Sequence, residues 1–127
     1  MITPYNRDGT VDYGAVRALT AWYREKGCDG IFASCQSSED RVKLAAVVKE
    51  TAVKLAAESG AEPMTIVASG HISDSFEDQK KELEEVAATG VDSLILISNR
   101  FDIENTSDER WNDDLDRMIP ALPDIPL

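Results

Sequence analysis

The stretch Lys26-Gly27-Cys28-Asp29-Gly30-Ile31-Phe32-Ala33-Ser34-Cys35-Gln36-Ser37-Ser38-Glu39 decides the fold. Gly27 stops a helix at a position where a left-handed residue costs little. Ile31-Phe32-Ala33 follows Asp29-Gly30 as a short apolar run and reads as a buried strand. Cys35 and the residues up to Glu39 are polar and read as the loop that leaves it. The pattern returns at Gly90-Val91-Asp92-Ser93-Leu94, where a helix again ends on glycine and an aspartate again precedes an apolar run. Repetition of helix, tight turn and strand implies right-handed crossovers and a parallel sheet.

Working outward, Asp8-Gly9 marks a turn, and 11–26 reads as a helix with Val16, Leu19, Thr20 and Tyr23 on one stripe. Residues 40–58 form a long helix through Leu44, Val47, Val48 and Leu55, ended by Gly60. A second strand spans 64–68, with Ser69-Gly70-His71 as its exit. Ser73 and Asp74 are N-cap candidates for a helix through Phe76, Leu83, Val86 and Ala87. A third strand covers 92–97, apolar on both faces, which suits a parallel sheet covered by helices. Residues 98–108 read as loop and 109–121 as the last helix. Three strands and four helices, with a vestigial strand before Thr3, make half a barrel or a small open α/β sheet.

At 127 residues the chain has the length of one domain, and is too short for a closed (β/α)8 barrel of about 200 residues or more. Its 13 basic and 24 acidic residues leave a net charge of −11, which repels phosphate backbones and anionic lipid. Nucleic-acid and membrane partners are therefore not expected. The start at Met1 has no basic segment followed by an apolar one, so a cytoplasmic location is expected. Across a strand, Cys28 and Cys35 lie about 20 Å apart at about 3.3 Å per residue, beyond the roughly 7 Å a disulfide spans. Two cysteines and one histidine do not make a zinc site. The glycines are isolated rather than grouped into a phosphate-cradling loop. Neither a metal nor a cofactor is expected.

Ligands of parallel α/β proteins bind beyond the carboxyl ends of the strands. The loop 34–39 crowds hydroxyls, an amide, a thiol and a carboxylate there, a set able to hold a small carboxylate. A serine-rich turn capping the next helix is the competing reading. His71 lands at the second exit and suits acid–base work or a structural role. Arg100 sits past the third strand as an anion contact or a solvated cation, and Glu82, Glu84 and Glu85 read as a solvated helix face.

Taken in order, Thr3-Pro4-Tyr5, Asp8-Gly9-Thr10-Val11-Asp12-Tyr13 and Lys26-Gly27-Cys28-Asp29-Gly30-Ile31 resemble the opening of the dihydrodipicolinate synthase / N-acetylneuraminate lyase family. The likeness continues through Arg41-Val42-Lys43, Ile66-Val67-Ala68 and Ala88-Thr89-Gly90-Val91-Asp92. It implies the first four or so βα units of a (β/α)8 barrel, homo-oligomers, and class I aldolase chemistry. In that chemistry a lysine forms a Schiff base with pyruvate or a related 2-oxo acid. The family's Gly-Thr-Thr-Gly-Glu falls on Cys35-Gln36-Ser37-Ser38-Glu39. The resemblance thus makes Gln36, Ser37 and Ser38 substrate-binding candidates, with Gln36 in place of a proton-relaying hydroxyl and Ser38 in place of a glycine that leaves the pocket wider. His71, Arg100 and Phe101 are candidate rim residues, and Phe101 falls where the family carries a tyrosine exchanged between subunits. Only Asp40 stands between Glu39 and Arg41, where the family has a longer segment. Lys26, Lys43, Lys49, Lys54, Lys80 and Lys81 all fall on predicted helices, so none matches the Schiff-base lysine. The 127 residues are expected to form a single domain, the amino-terminal half of a lyase barrel, inactive alone. The alternative is a non-catalytic half-barrel that self-associates or pairs with a partner through open strand edges and uncovered apolar faces.

Overall fold

Glycine and aspartate punctuation does set the chain's rhythm in the computed structural model, which describes residues 1–35 and 37–127. Helix α1 (Tyr13–Glu25) starts at Asp12, whose carboxylate accepts the Ala15 N–H at 2.9 Å. It ends on Gly27 at φ +80°, where the Gly27 and Cys28 N–H groups bond back to the Arg24 and Tyr23 carbonyls. That double bond closes a helix end around a left-handed residue. Then follow β1 (Gly30–Phe32), α2 (Arg41–Ser59), β2 (Thr65–Ala68), α3 (Phe76–Ala87), β3 (Ser93–Leu94) and α4 (Asp108–Met118). Short 3-10 turns occupy Ser98–Arg100 and Ile119–Ala121.

The sheet order is β1-β2-β3, all parallel, with Ile31 opposite Ile66, Phe32 opposite Val67, and Ala68 opposite Leu94. Both crossovers step in the same direction, so right-handed connections lay their helices on the same side. This is a segment of a (β/α)8 barrel and not a doubly wound sheet. Burial follows the alternation. Ile31, Ile66, Ala68 and Leu94 are buried in the core with Val16, Leu44, Val48, Leu83 and Val86. On the opposite face Gly30, Phe32 and Thr65 are exposed, and Val67 and Ser93 half-buried. The helices thus cover one face of the sheet, as in a segment of a barrel.

Several element ends also differ from expectation. The third strand is Ser93–Leu94 and not 92–97. Ile95 still donates its N–H to Ala68 O, but the Ile97 N–H turns away to His71. No strand precedes Thr3. Instead the Met1 ammonium donates to Phe32 O at 2.8 Å, on the free edge of β1. On the other edge Leu94 N donates to Pro126 O at 2.9 Å. Helix α3 is capped by Ser75 and not by Ser73 or Asp74, its hydroxyl accepting the Asp78 N–H at 3.2 Å. The last helix begins at Asp108, capped by Ser107, and passes into a 3-10 turn at Ile119 as Pro120 arrives without an N–H to give. Asp40 closes the short link into α2 in the left-handed region at φ +49°, with its carboxylate accepting the Tyr13 hydroxyl. Cys28 and Cys35 are free thiols flanking opposite ends of β1.

Candidate functional site

Three parallel strands deliver their exit loops to one rim, and side chains lace the loops together. Arg41, at the start of α2, donates from Nε to Gly70 O at 3.0 Å and from Nη1 to Ser38 O at 3.4 Å, joining the first loop to the second. Glu82 of α3 accepts from Ile72 N at 2.7 Å, Ser73 N at 3.1 Å and Ser73 Oγ at 2.8 Å. Burial pushes its carboxyl upward, but those donors outweigh burial and hold it below the usual range. Arg100 donates to Ser73 O and pairs with Asp74, joining the third loop to the second.

His71 sits under this lacing and is fully buried. Its Nε2 accepts the Ile97 N–H at 2.6 Å, so Nδ1 carries the ring proton and donates to Gln79 Oε1 at 2.9 Å. Gln79 passes the connection on, donating from Nε2 to Arg100 O at 3.1 Å. Burial holds the imidazole pKa below its ordinary value, against the opposing pull of Gln79 and Glu82. Phe101 is buried beside it, with ring centroids 5.7 Å apart, and meets Trp111 edge-on. His71 and Phe101 thus lie beneath the rim.

The first loop carries the groups that face solvent. Ser37 is exposed, its hydroxyl 3.0 Å from Cys35 Sγ. Ser38 Oγ accepts the Cys35 N–H at 3.1 Å and lies 3.8 Å from the same sulfur. The Ser37 hydroxyl leads these contacts in lowering the Cys35 thiol below its ordinary value, against burial. The loop therefore pairs a softened thiol with hydroxyls able to donate to an oxyanion. Gln36 lies outside the described residues. Arg100 lines a cleft of about 440 Å³ with Asp102, Glu104, Arg110 and Asp114. Three carboxylates against two guanidiniums leave that cleft no positive field for an anion.

Among the described residues every lysine stands on α2, on α3 or at the end of α1. Lys49 is drawn to the opposite end of the sheet, where it pairs with Asp92 ahead of β3. Arg41, Gln79 and Glu82 hold the rim but were not singled out for it by the sequence. Glu82 in particular is a loop anchor and not a solvated face, because its acceptors meet N–H groups nine and ten residues away. Among the described residues no helix is long and apolar enough to cross a membrane.

No protein-family model and no curated protein sequence matches the chain. Solved structures do. Dihydrodipicolinate synthase from Rhodopseudomonas palustris matches with a TM-score of 0.69 at 16% identity, over 98% of this chain and 39% of that one. The dihydrodipicolinate synthase from Aquifex aeolicus matches at 0.62 and 20% identity, over 99% and 41%. The chain folds as part of a (β/α)8 barrel like theirs. It spans about two-fifths of the length of each.

Proposed function

We propose that this chain is the amino-terminal half of a lyase barrel of the dihydrodipicolinate synthase / N-acetylneuraminate lyase kind, in which the rim around Ser37 and Ser38 helps to hold a 2-oxo acid. The observation that carries the reading is the lacing of three strand exits at one end of a parallel sheet by Arg41, His71, Gln79, Glu82 and Arg100. The likeness of fold to two dihydrodipicolinate synthases supports it. In the whole protein a lysine amine condenses with the ketone of pyruvate or a related acid and expels water. The resulting iminium accepts the electron pair left when a neighbouring C–H gives up its proton, and the enamine adds to an aldehyde; cleavage is the reverse. The lysine and tyrosine of that chemistry lie outside these 127 residues. The chain's own share is to orient the carboxylate. Ser37 offers a hydroxyl for it, and Gln36, in the relay position, offers an amide that binds but does not pass a proton on.

Borohydride trapping with pyruvate tests the assignment of roles. The 127-residue chain should keep its mass unchanged. A covalent pyruvate adduct on any of its lysines would place the nucleophile here and end the reading. In the other direction, a reading frame running past Leu127 into Tyr-x-x-Pro, then one βα unit later into an apolar strand ending in lysine, is the expected context.

A further inference from the structure

We infer that His71 is a proton-operated latch between the second and third strand exits. A proton taken from solvent onto its Nε2 expels the Ile97 N–H, and the backbone at Ile97 parts from the β2 exit while the rest of the chain stays folded. The neutral ring serves its two partners in opposite senses. Nδ1 donates to Gln79 Oε1, and the Nε2 lone pair accepts from Ile97 N. An imidazolium has two N–H groups and no lone pair to offer. The Gln79 bond therefore survives protonation, whereas the Ile97 bond becomes two donors facing each other. Among the described residues no other N–H of residues 96–101 bonds outside that segment. Loss of this bond therefore turns the Ile97 N–H out to water.

The neighbouring contacts keep the opening local. Before the latch, the Ile95 N–H is fixed to Ala68 O. After it, Phe101 is buried against Trp111, whose Nε1 donates to Ser98 O at 2.9 Å. Neither tie uses the imidazole. Two charged groups act on the ring. Glu82 on α3 favours the proton, and Arg100, itself paired with Asp74, opposes it. Arg41 of α2 is committed to the Gly70 and Ser38 carbonyls, and the remaining partners, Gln79 and Phe101, are uncharged. Burial is the largest influence and also opposes the proton, so the latch is closed at neutral pH and opens below the ordinary imidazole value of about 6.5. The latch rests on these hydrogen bonds and is independent of the chemistry proposed above.

Amide hydrogen exchange of the 127-residue chain, read by NMR as protection factors from about pH 8 to about pH 5, tests it beside the titration of the ring-proton shifts. His71 is the chain's one histidine, so those ring signals are unambiguous. Protection at Ile97 should fall at least tenfold, with the midpoint of the ring titration. The Ala33 and Val16 amides, bonded to the Val67 and Asp12 carbonyls, should keep theirs. Gln79→Glu sets a carboxylate against Nδ1–H and favours the imidazolium, so the ring and Ile97 midpoints should rise together by about half a pH unit or more. A ring that titrates while Ile97 keeps its protection would overturn the inference. So would loss of protection at Ile97, Ala33 and Val16 together, or a ring that stays neutral until the whole chain unfolds. A Gln79→Glu chain whose ring midpoint rises while that of Ile97 stays in place would overturn it as well.

Discussion

His71 is the chain's one histidine, and both of its ring nitrogens are committed. Because burial depresses its folded-state pKa, the unfolded chain binds more protons below the ordinary imidazole value of about 6.5. Stability is thus full above that pH and declines as pH falls from there through the depressed folded value. Urea midpoints measured across this window should drop more steeply for the parent chain than for His71→Gln, in which depressed carboxylates such as Glu82 still lose their contribution as pH falls. The substitution itself should cost about 1–3 kcal/mol, since it strands the Ile97 N–H and the Gln79 carbonyl in a buried place. Glu82→Gln tests the neighbouring anchor. It keeps the shape but removes the charge from three hydrogen bonds, and should lower stability by about 1–3 kcal/mol at neutral pH. At this scale the sequence places residues but does not assign them work. His71 was legible as a strand-exit residue. Its role was not, because its partners stand 8 and 26 residues away. Ser37 and Ser38 were legible as rim hydroxyls, whereas their engagement with Cys35 depends on the turn geometry of the loop.

The elements themselves were far easier to read, because each is announced by several local signals at once. Gly27 shows why. No atom lies within 4 Å of where a Cβ would stand, so its requirement is purely one of backbone conformation at φ +80°. Gly27→Ala should therefore cost about 1–2 kcal/mol, the penalty of a left-handed L-residue, and leave the rim unchanged. Gly70 is the opposite case. A Cβ there would run into Val86 Cγ2 and meet Glu82 O at 3.2 Å. Gly70→Ala should push the β2 exit off α3 and cost about 1–3 kcal/mol by overpacking. Thermal midpoints of the two variants, with amide shifts of Ile72 and Ser73 as the local readout, separate the two mechanisms: only Gly70→Ala should move those shifts. The ends of elements were the illegible part. β3 stops early because His71 captures the Ile97 N–H that would have continued the ladder, and α3 starts at Ser75 because that hydroxyl, and not its two polar predecessors, reaches the Asp78 N–H. Both outcomes were decided by competition among chemically similar candidates.

Charge and topology together govern the molecule as a whole. The parallel order was legible because helix and strand signals alternate, and right-handed crossovers leave few arrangements. Which side of the sheet lies bare was not, since a run such as Leu94-Ile95-Leu96-Ile97 suits burial on either face. The net charge of −11 makes a further prediction, in which two effects of salt compete. Ion pairs such as Lys54–Glu58 and Lys81–Glu85 lie on exposed helix faces, and screening them should cost little, since exposed pairs contribute about 0–1 kcal/mol each. The excess of acidic groups repels itself across the whole surface, and that repulsion is screened as the Debye length shrinks from about 10 Å at 0.1 M to about 3 Å at 1 M. The repulsion should dominate. Raising potassium chloride over that range should move the urea midpoint upward. A midpoint that falls instead would mean that the exposed ion pairs outweigh the acidic excess.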